Sequence, residues 1–310
     1  MGALWQRSGH DDDRTVILQA GPEGAATLSR IPCDDSAMTM TEEDLQTLRD
    51  AYQRLENPSL AIRMSSAVGM PVEAVTRELA KKAPAALVDV VTNSTHTAIE
   101  YVLQHSMRSF TSSEQVAAKP RLHTVAAATT GAFAGFFGLE TLVIELPLTT
   151  GIMFRSIADI ARAEGESPTD PETIVNCMQV FAMGSRLTDA DDAAETSYYG
   201  VRLALSKAAT DALKYVVAQG VSNTNAPALV RLIAVIAQRF GVVVTQKAMA
   251  QTIPVIGAIG GGLINTVFIS HFQDMARAHF AIRRLERTYD AEVVANAYSH
   301  FTESPPPSTQ

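Results

Sequence analysis

From residue 41 onward, apolar residues recur at three- and four-residue steps, the period of a helix with one buried face. Leu45, Leu48, Tyr52 and Leu55 form the first such stripe. Thr41-Glu-Glu-Asp44 precedes it with the form of a capping box, which satisfies free amides at a helix start. Asn57-Pro58 closes that helix and opens another, and Val72, Val75 and Leu79 mark a short third helix after Pro71. Between Ala85 and Phe110, the residues Val88, Val91, Ile99, Val102 and Met107 fall on one face. Asp170-Pro-Glu172 opens a further helix, with Asp as cap and Pro where a missing amide costs nothing. Ile174, Met178 and Phe181 follow, and Gly184 is placed to end it. The last helix is read from about Asn265 to Tyr298, with the stripe Phe268, Phe272, Met275, His279, Ile282, Leu285, Tyr289 and Val293. No stretch alternates at period two for long, and Thr15-Val-Ile-Leu18 is too short to count. The pattern predicts an all-α, multi-helix bundle.

Two segments break the amphipathic pattern. Residues 124–139 are uncharged and rich in Ala, Gly and Phe; residues 248–273 also lack formal charge. The second is long enough to cross a bilayer, although Pro254 and Gly260-Gly-Gly262 interrupt it as one straight span. Either segment fits equally well as a buried central hairpin, because a helix apolar all round can be core. Gly131, Gly135 and Gly138 share one helical face, as do Gly257 and Gly261, and such faces let helices approach closely in membrane or core alike. The expected bundle therefore has Gly-rich apolar hairpins at its centre, and Glu140 and Glu145 interrupt the first apolar run.

Composition narrows the classes. Hydrophobic residues make up 46% and charged residues 19% of 310, and the net charge is −8. A dedicated nucleic-acid binder needs an excess of Lys and Arg, so that class is set aside. Two cysteines, Cys33 and Cys177, make no disulfide framework, which points to a reducing compartment. The first residues show no signal-peptide run, and Gln6 stands where a myristoylation motif asks for Ser or Thr. A cytoplasmic protein is expected, organised as an N-terminal arm at 1–38, a helical domain at 39–300 and a tail at 301–310.

Several blocks carry a more specific signal. They are Gly135-Phe-Phe-Gly-Leu139, Glu145-Leu-Pro147, Arg155-Ser-Ile-Ala-Asp-Ile-Ala-Arg162, Asp191-Asp-Ala-Ala-Glu195 and Tyr198-Tyr199 with Arg202. Arg239-Phe-Gly241, Pro254-Val-Ile-Gly-Ala258, His271-Phe-Gln-Asp-Met-Ala276 and Arg283-Arg-Leu-Glu-Arg287 continue the series. In this order, over roughly residues 45 to 290, the chain resembles the bacterial EcsC family. The resemblance implies a protein linked to an ABC-type transport system, with no agreed catalytic residues to carry over. Some relatives carry a peptidase label, but the seven histidines here offer neither His-x-His nor His-Glu-x-x-His for zinc. No cofactor is expected.

The candidate chemistry has a plain structural alternative at each point. Asp191, Asp192 and Glu195 form either a weak cation site or an acidic helix start held by its dipole. Arg155, Asp159 and Arg162 share a face, as an anion site or as an ion-pair ladder. Glu140 and Glu145 are costly, and so functional, if their region lies in lipid; in a core they need partners, of which Arg155 or Arg202 are the plausible ones. His279 is a general base or a hydrogen-bonded core histidine. Arg277, Arg283, Arg284 and Arg287 form a basic face suited to anionic lipid, or one paired with acidic residues. Three functions follow as expectations. The first is a membrane-associated or lipid-binding accessory protein at the cytosolic face. The second is a scaffold or regulator of an ABC-type transporter. The third is a hydrolase combining Glu145, Asp191, Glu195 and His279. The sequence does not set the oligomeric state.

Overall fold

A computed structural model of the chain describes residues 19–20, 26–27, 40–56, 60–69, 71, 74–75, 77, 83–109, 142–167, 169–184, 197–219, 225–251 and 261–303. The chain divides into two units, Met1–Thr41 and Glu42–Gln310. In the first, Gln19–Ala20 (β1) and Ala26–Thr27 (β2) pair antiparallel, with Gln19 opposite Thr27. This two-residue ladder lies just past the Thr15–Leu18 stretch in the sequence and is the one strand pairing among the described residues.

The second unit is all helical among its described residues. Its helices are α1 (Glu42–Glu56), α2 (Leu60–Val68), α3 (Ala85–Ser109), α4 (Leu142–Ala163) and α5 (Pro171–Gln179). They are followed by α6 (Tyr198–Gln219), α7 (Pro227–Gln251), α8 (Gly261–Tyr289) and α9 (Ala291–Glu303). A 3₁₀ turn at Val180–Ala182 extends α5. The predicted cap is present: Asp170 Oδ1 accepts the Glu172 amide at 3.0 Å, with Pro171 at the first helical position.

Helix α8 lies at the centre, against α1, α2, α4, α7, α9 and the 3₁₀ turn. Its buried positions Ile264, Phe268, Phe272, Met275, Ile282 and Leu285 repeat at helical spacing, as the apolar stripe requires. Phe181, Phe240, Phe268 and Phe272 form an aromatic cluster with centroids 5.2–6.1 Å apart. Around this axis α3 packs on α4 and α7, and α6 packs on α5 and α7. From Ile264 on, the expected 248–273 segment supplies core residues rather than an outer surface.

Three expectations change. The single last helix is two, because Asp290 adopts φ 78° and ends α8. Its carboxylate accepts the Glu292 amide at 2.9 Å and starts α9. The break shifts the helical register, so Val294 and Tyr298 are buried while Val293 faces out. Helix α9 also continues past the expected boundary at 300, with Phe301 buried 5.7 Å from the Tyr52 ring centroid. On α3, Val88 faces solvent, and Leu87 joins Val91, Ile99 and Val102 in the core. The expected short helix after Pro71 lies mostly outside the described residues, although Val75 is fully buried.

Gly184 shows how tightly α8 is held. It has φ 70°, and a Cβ there would stand 2.7 Å from His271 Cε1 and 3.2 Å from Met275 Sδ. Gly184→Ala is expected to destabilise by about 2–4 kcal/mol in urea denaturation. In a His271→Ala background the same change should cost at least about 1 kcal/mol less, because the ring it meets is gone. Equal costs in both backgrounds would show that the ring contact is not the cause.

Candidate functional site

The centre of the bundle holds a charged pair. Helix α4 presents Glu145 from its first turn, α7 presents Lys247 near its end, and α8 presents Asn265 near its start. Lys247 Nζ donates to Glu145 Oε1 at 3.0 Å and to Asn265 Oδ1 at 2.8 Å. The same ammonium lies 4.9 Å from the Phe268 ring centroid. The Lys247 side chain is 1% exposed and that of Glu145 7%. Neither arginine expected to neutralise Glu145 does so: Arg202 pairs with Glu286, and Arg155 is exposed on α4. The missed partner had a signal of its own, since Lys247 is the one formally charged residue between Arg239 and Asp274 in the sequence.

A second network surrounds the far half of α8. Tyr198 Oη lies 3.0 Å from His279 Nδ1, and Arg202 Nη1 donates to the same phenol at 3.2 Å. Arg202 also forks onto Glu286, at 2.5 and 3.1 Å. Its guanidinium carbon lies 5.3 Å from the Tyr198 ring centroid and 5.5 Å from that of Tyr199. Glu56 of α1 accepts from the Tyr298 hydroxyl at 2.8 Å and from the Tyr198 amide at 3.1 Å. Burial pushes the Tyr198 phenol up, partly offset by the Arg202 charge. Burial also holds His279 well below the usual imidazole value, and Arg202 and Arg283 add to the effect. A neutral imidazole with Nε2 buried and unpartnered among the described residues is a core histidine tied to a tyrosine.

The four arginines of α8 each meet acidic partners. Arg277 pairs with Asp274 at 2.7 Å, and Arg63 of α2 joins the same carboxylate at 2.6 Å. Arg283 reaches Glu166 and Glu172, both at 2.9 Å. Arg284 bonds Glu164 at 3.0 Å and lies 3.6 Å from Asp44. Arg287 bonds Glu166 and the Glu164 carbonyl. Burial alone would raise the Glu166 carboxyl, but Arg283, Arg287 and the Thr173 hydroxyl outweigh it and hold it below the usual value. On α4, Arg162 lies 3.4 Å from Asp159, one rung of the expected ladder.

These placements separate residues that the hydrolase reading brought together. Glu145 is held beside Asn265, while His279 lies fourteen residues farther along the same helix, about 21 Å at the rise of an α-helix. One pocket cannot hold both. Gly131, Gly135, Gly138, Glu140, Asp191, Asp192, Glu195 and Gly257 lie outside the described residues; Gly261 is the first residue of α8. Residues 60–285 match the model of the EcsC protein family. No curated protein and no solved structure matches the chain.

Lys247→Met leaves Glu145 buried without its cation and is expected to cost about 3–5 kcal/mol in chemical denaturation. Adding Glu145→Leu should recover most of that loss, and a double variant as unstable as the single would refute the pairing. Acid should also unfold the protein through its buried imidazoles. Burial, with Arg63 adding, lowers His271 from 6.5 to about 4, although Asp274 and the Gly184 backbone oppose the shift. The folded state thus binds fewer protons than the unfolded one between those values, so stability is full above pH 6.5 and lost as pH falls toward 4. His271 alone should remove about 2 kcal/mol by pH 5, and the urea midpoint of His271→Gln should fall less steeply than that of the wild type.

Proposed function

The chain belongs to the EcsC protein family, and from that premise we propose that it is an accessory protein of the cytosolic membrane face that holds lipid by apolar contact. The observation that carries this reading is the outer face at the start of α4. Val143, Ile144 and Leu148 are 50, 78 and 50% exposed, and Ile144 and Leu148 stand one turn apart. The uncharged residues 124–139 come shortly before them in the sequence. The described residues include one helix long and apolar enough to cross a membrane by length and composition, Pro227–Ala250, whose most apolar 18-residue window has a mean hydropathy of 1.8 and is 44% buried. Val230 on that helix is exposed as well.

The arginines of α8 enter this reading differently from the sequence expectation. Asp44, Glu164, Glu166, Glu172 and Asp274 answer their charges, so little is left to draw the protein to an anionic surface. Apolar contact then dominates, and a membrane-embedded transport system is the class of partner such placement would serve.

Flotation with neutral and anionic liposomes at low and high salt tests this. The expected result is flotation with both lipids that resists salt. Ile144→Asp combined with Leu148→Asp should cut the floated fraction severalfold while leaving the helical circular dichroism unchanged. Protein that stays at the bottom of the gradient with both lipids would end the reading. Flotation that needs anionic lipid and is released by salt would also end it.

A further inference from the structure

Helices α5 and α6, with Arg283 of α8, line an open cleft of about 220 Å³. Its polar lining includes Glu172, Asn176 and Gln179 from α5 and Arg202 and Ser206 from α6. Two guanidiniums from different helices therefore face one small space. Arg283 uses Nε on Glu166 and Nη2 on Glu172, which leaves Nη1 without a partner among the described residues. Arg202 uses both Nη atoms on Glu286 and Tyr198, which leaves Nε in the same condition. Asn176 spends one amide hydrogen on the Glu172 carbonyl and retains the other.

The two carboxylates on Arg283 are not equivalent. Glu166 is 8% exposed, shares its charge with Arg287 and accepts from Thr173. Glu172 is 54% exposed, and the bond from Arg283 is its one ion pair among the described residues. With Arg283 14% exposed and Glu172 open to solvent, water competes for the carboxylate end of this pair, which makes Glu172 the more easily displaced of the two. The Glu172 carboxylate therefore occupies, on Arg283, a place that an oxyanion from outside could take, in a cleft that Arg202 also lines. We propose that this cleft binds a small phosphate or phosphomonoester, which displaces the Glu172 carboxylate from Arg283 and takes a further hydrogen bond from Arg202. A tetrahedral dianion suits two guanidinium donors from two directions better than a carboxylate does.

The test is calorimetric titration of the full chain with inorganic phosphate. Saturable binding is expected. Glu172→Gln should tighten it about fivefold by removing the competing charge. Ser206→Glu puts a carboxylate at the exposed rim and should weaken binding by a similar factor, with thermal melting confirming that both variants fold. Flotation with phosphatidic-acid vesicles, using the same variants, separates the sources. The same order of response on vesicles would identify a lipid headgroup, and a response to free phosphate alone would identify a soluble ligand; either supports the site. No saturable binding by the wild type and Glu172→Gln, or equal affinity in the two, would overturn it. The Ile144→Asp, Leu148→Asp variant should bind phosphate as the wild type does, so this proposal and the membrane reading can fail separately.

Discussion

A polar group taken into an apolar interior must bring its partner with it, because an unpaired buried charge costs several kcal/mol. Helix α8 meets that constraint at most of its buried polar positions, His271 excepted, whose two ring nitrogens have no hydrogen-bond partner among the described residues. Asn265 shares Lys247 with Glu145, Gln273 donates to Ser156 at 2.9 Å, and Asp274 takes Arg63. Farther along, His279 meets Tyr198, Arg283 meets Glu166, Glu286 meets Arg202, and Tyr289 donates to Asp44 at 2.5 Å. The partners come from α1, α2, α4, α6, α7 and the turn after α4. Apolar packing alone would tolerate some sliding of these helices along α8. A bond of fixed length at each level does not, so the register of the bundle follows from the pairing.

The same constraint bears on where the protein can act. Charges that are matched inside the fold have little field to offer outside it. The arginines of α8, which in the sequence look like an outward basic face, lie among carboxylates from α1, α5 and the segment joining α4 to α5. Two places direct chemistry outward instead. One is apolar, at the first turns of α4, where three aliphatic side chains face solvent. The other is polar, between α5 and α6, where a single exposed carboxylate covers a guanidinium. A bundle whose interior is locked by specific pairs can present both without rearranging its core.

Helix positions were legible because burying one face imposes a repeat near 3.6 on the sequence. The stripe of α8 and the span of α3 could be read in this way, and the Asp170 cap from the Asp-Pro-Glu start of its helix. The break at Asp290 was harder, since aspartate in a left-handed conformation gives no distinctive pattern, and the helices on either side are each amphipathic. The exposure of Val88 and Val293 shows the same limit. A stripe defines a face only to within a residue or so, and neighbouring helices decide which edge of it is covered.

By itself, then, the sequence determined the all-α class, the EcsC resemblance, most helix spans and the need of Glu145 for a cationic partner. The identity of that partner came only with the tertiary structure. Glu145 and Lys247 are 102 positions apart, and periodicity within one helix carries no information about which other helix will face it. Arg202 with Glu286, at a separation of 84, and Arg283 with Glu166, at 117, follow the same rule. Local pattern reports the free energy of burying a face, whereas the choice of partner depends on how several such faces can be buried together.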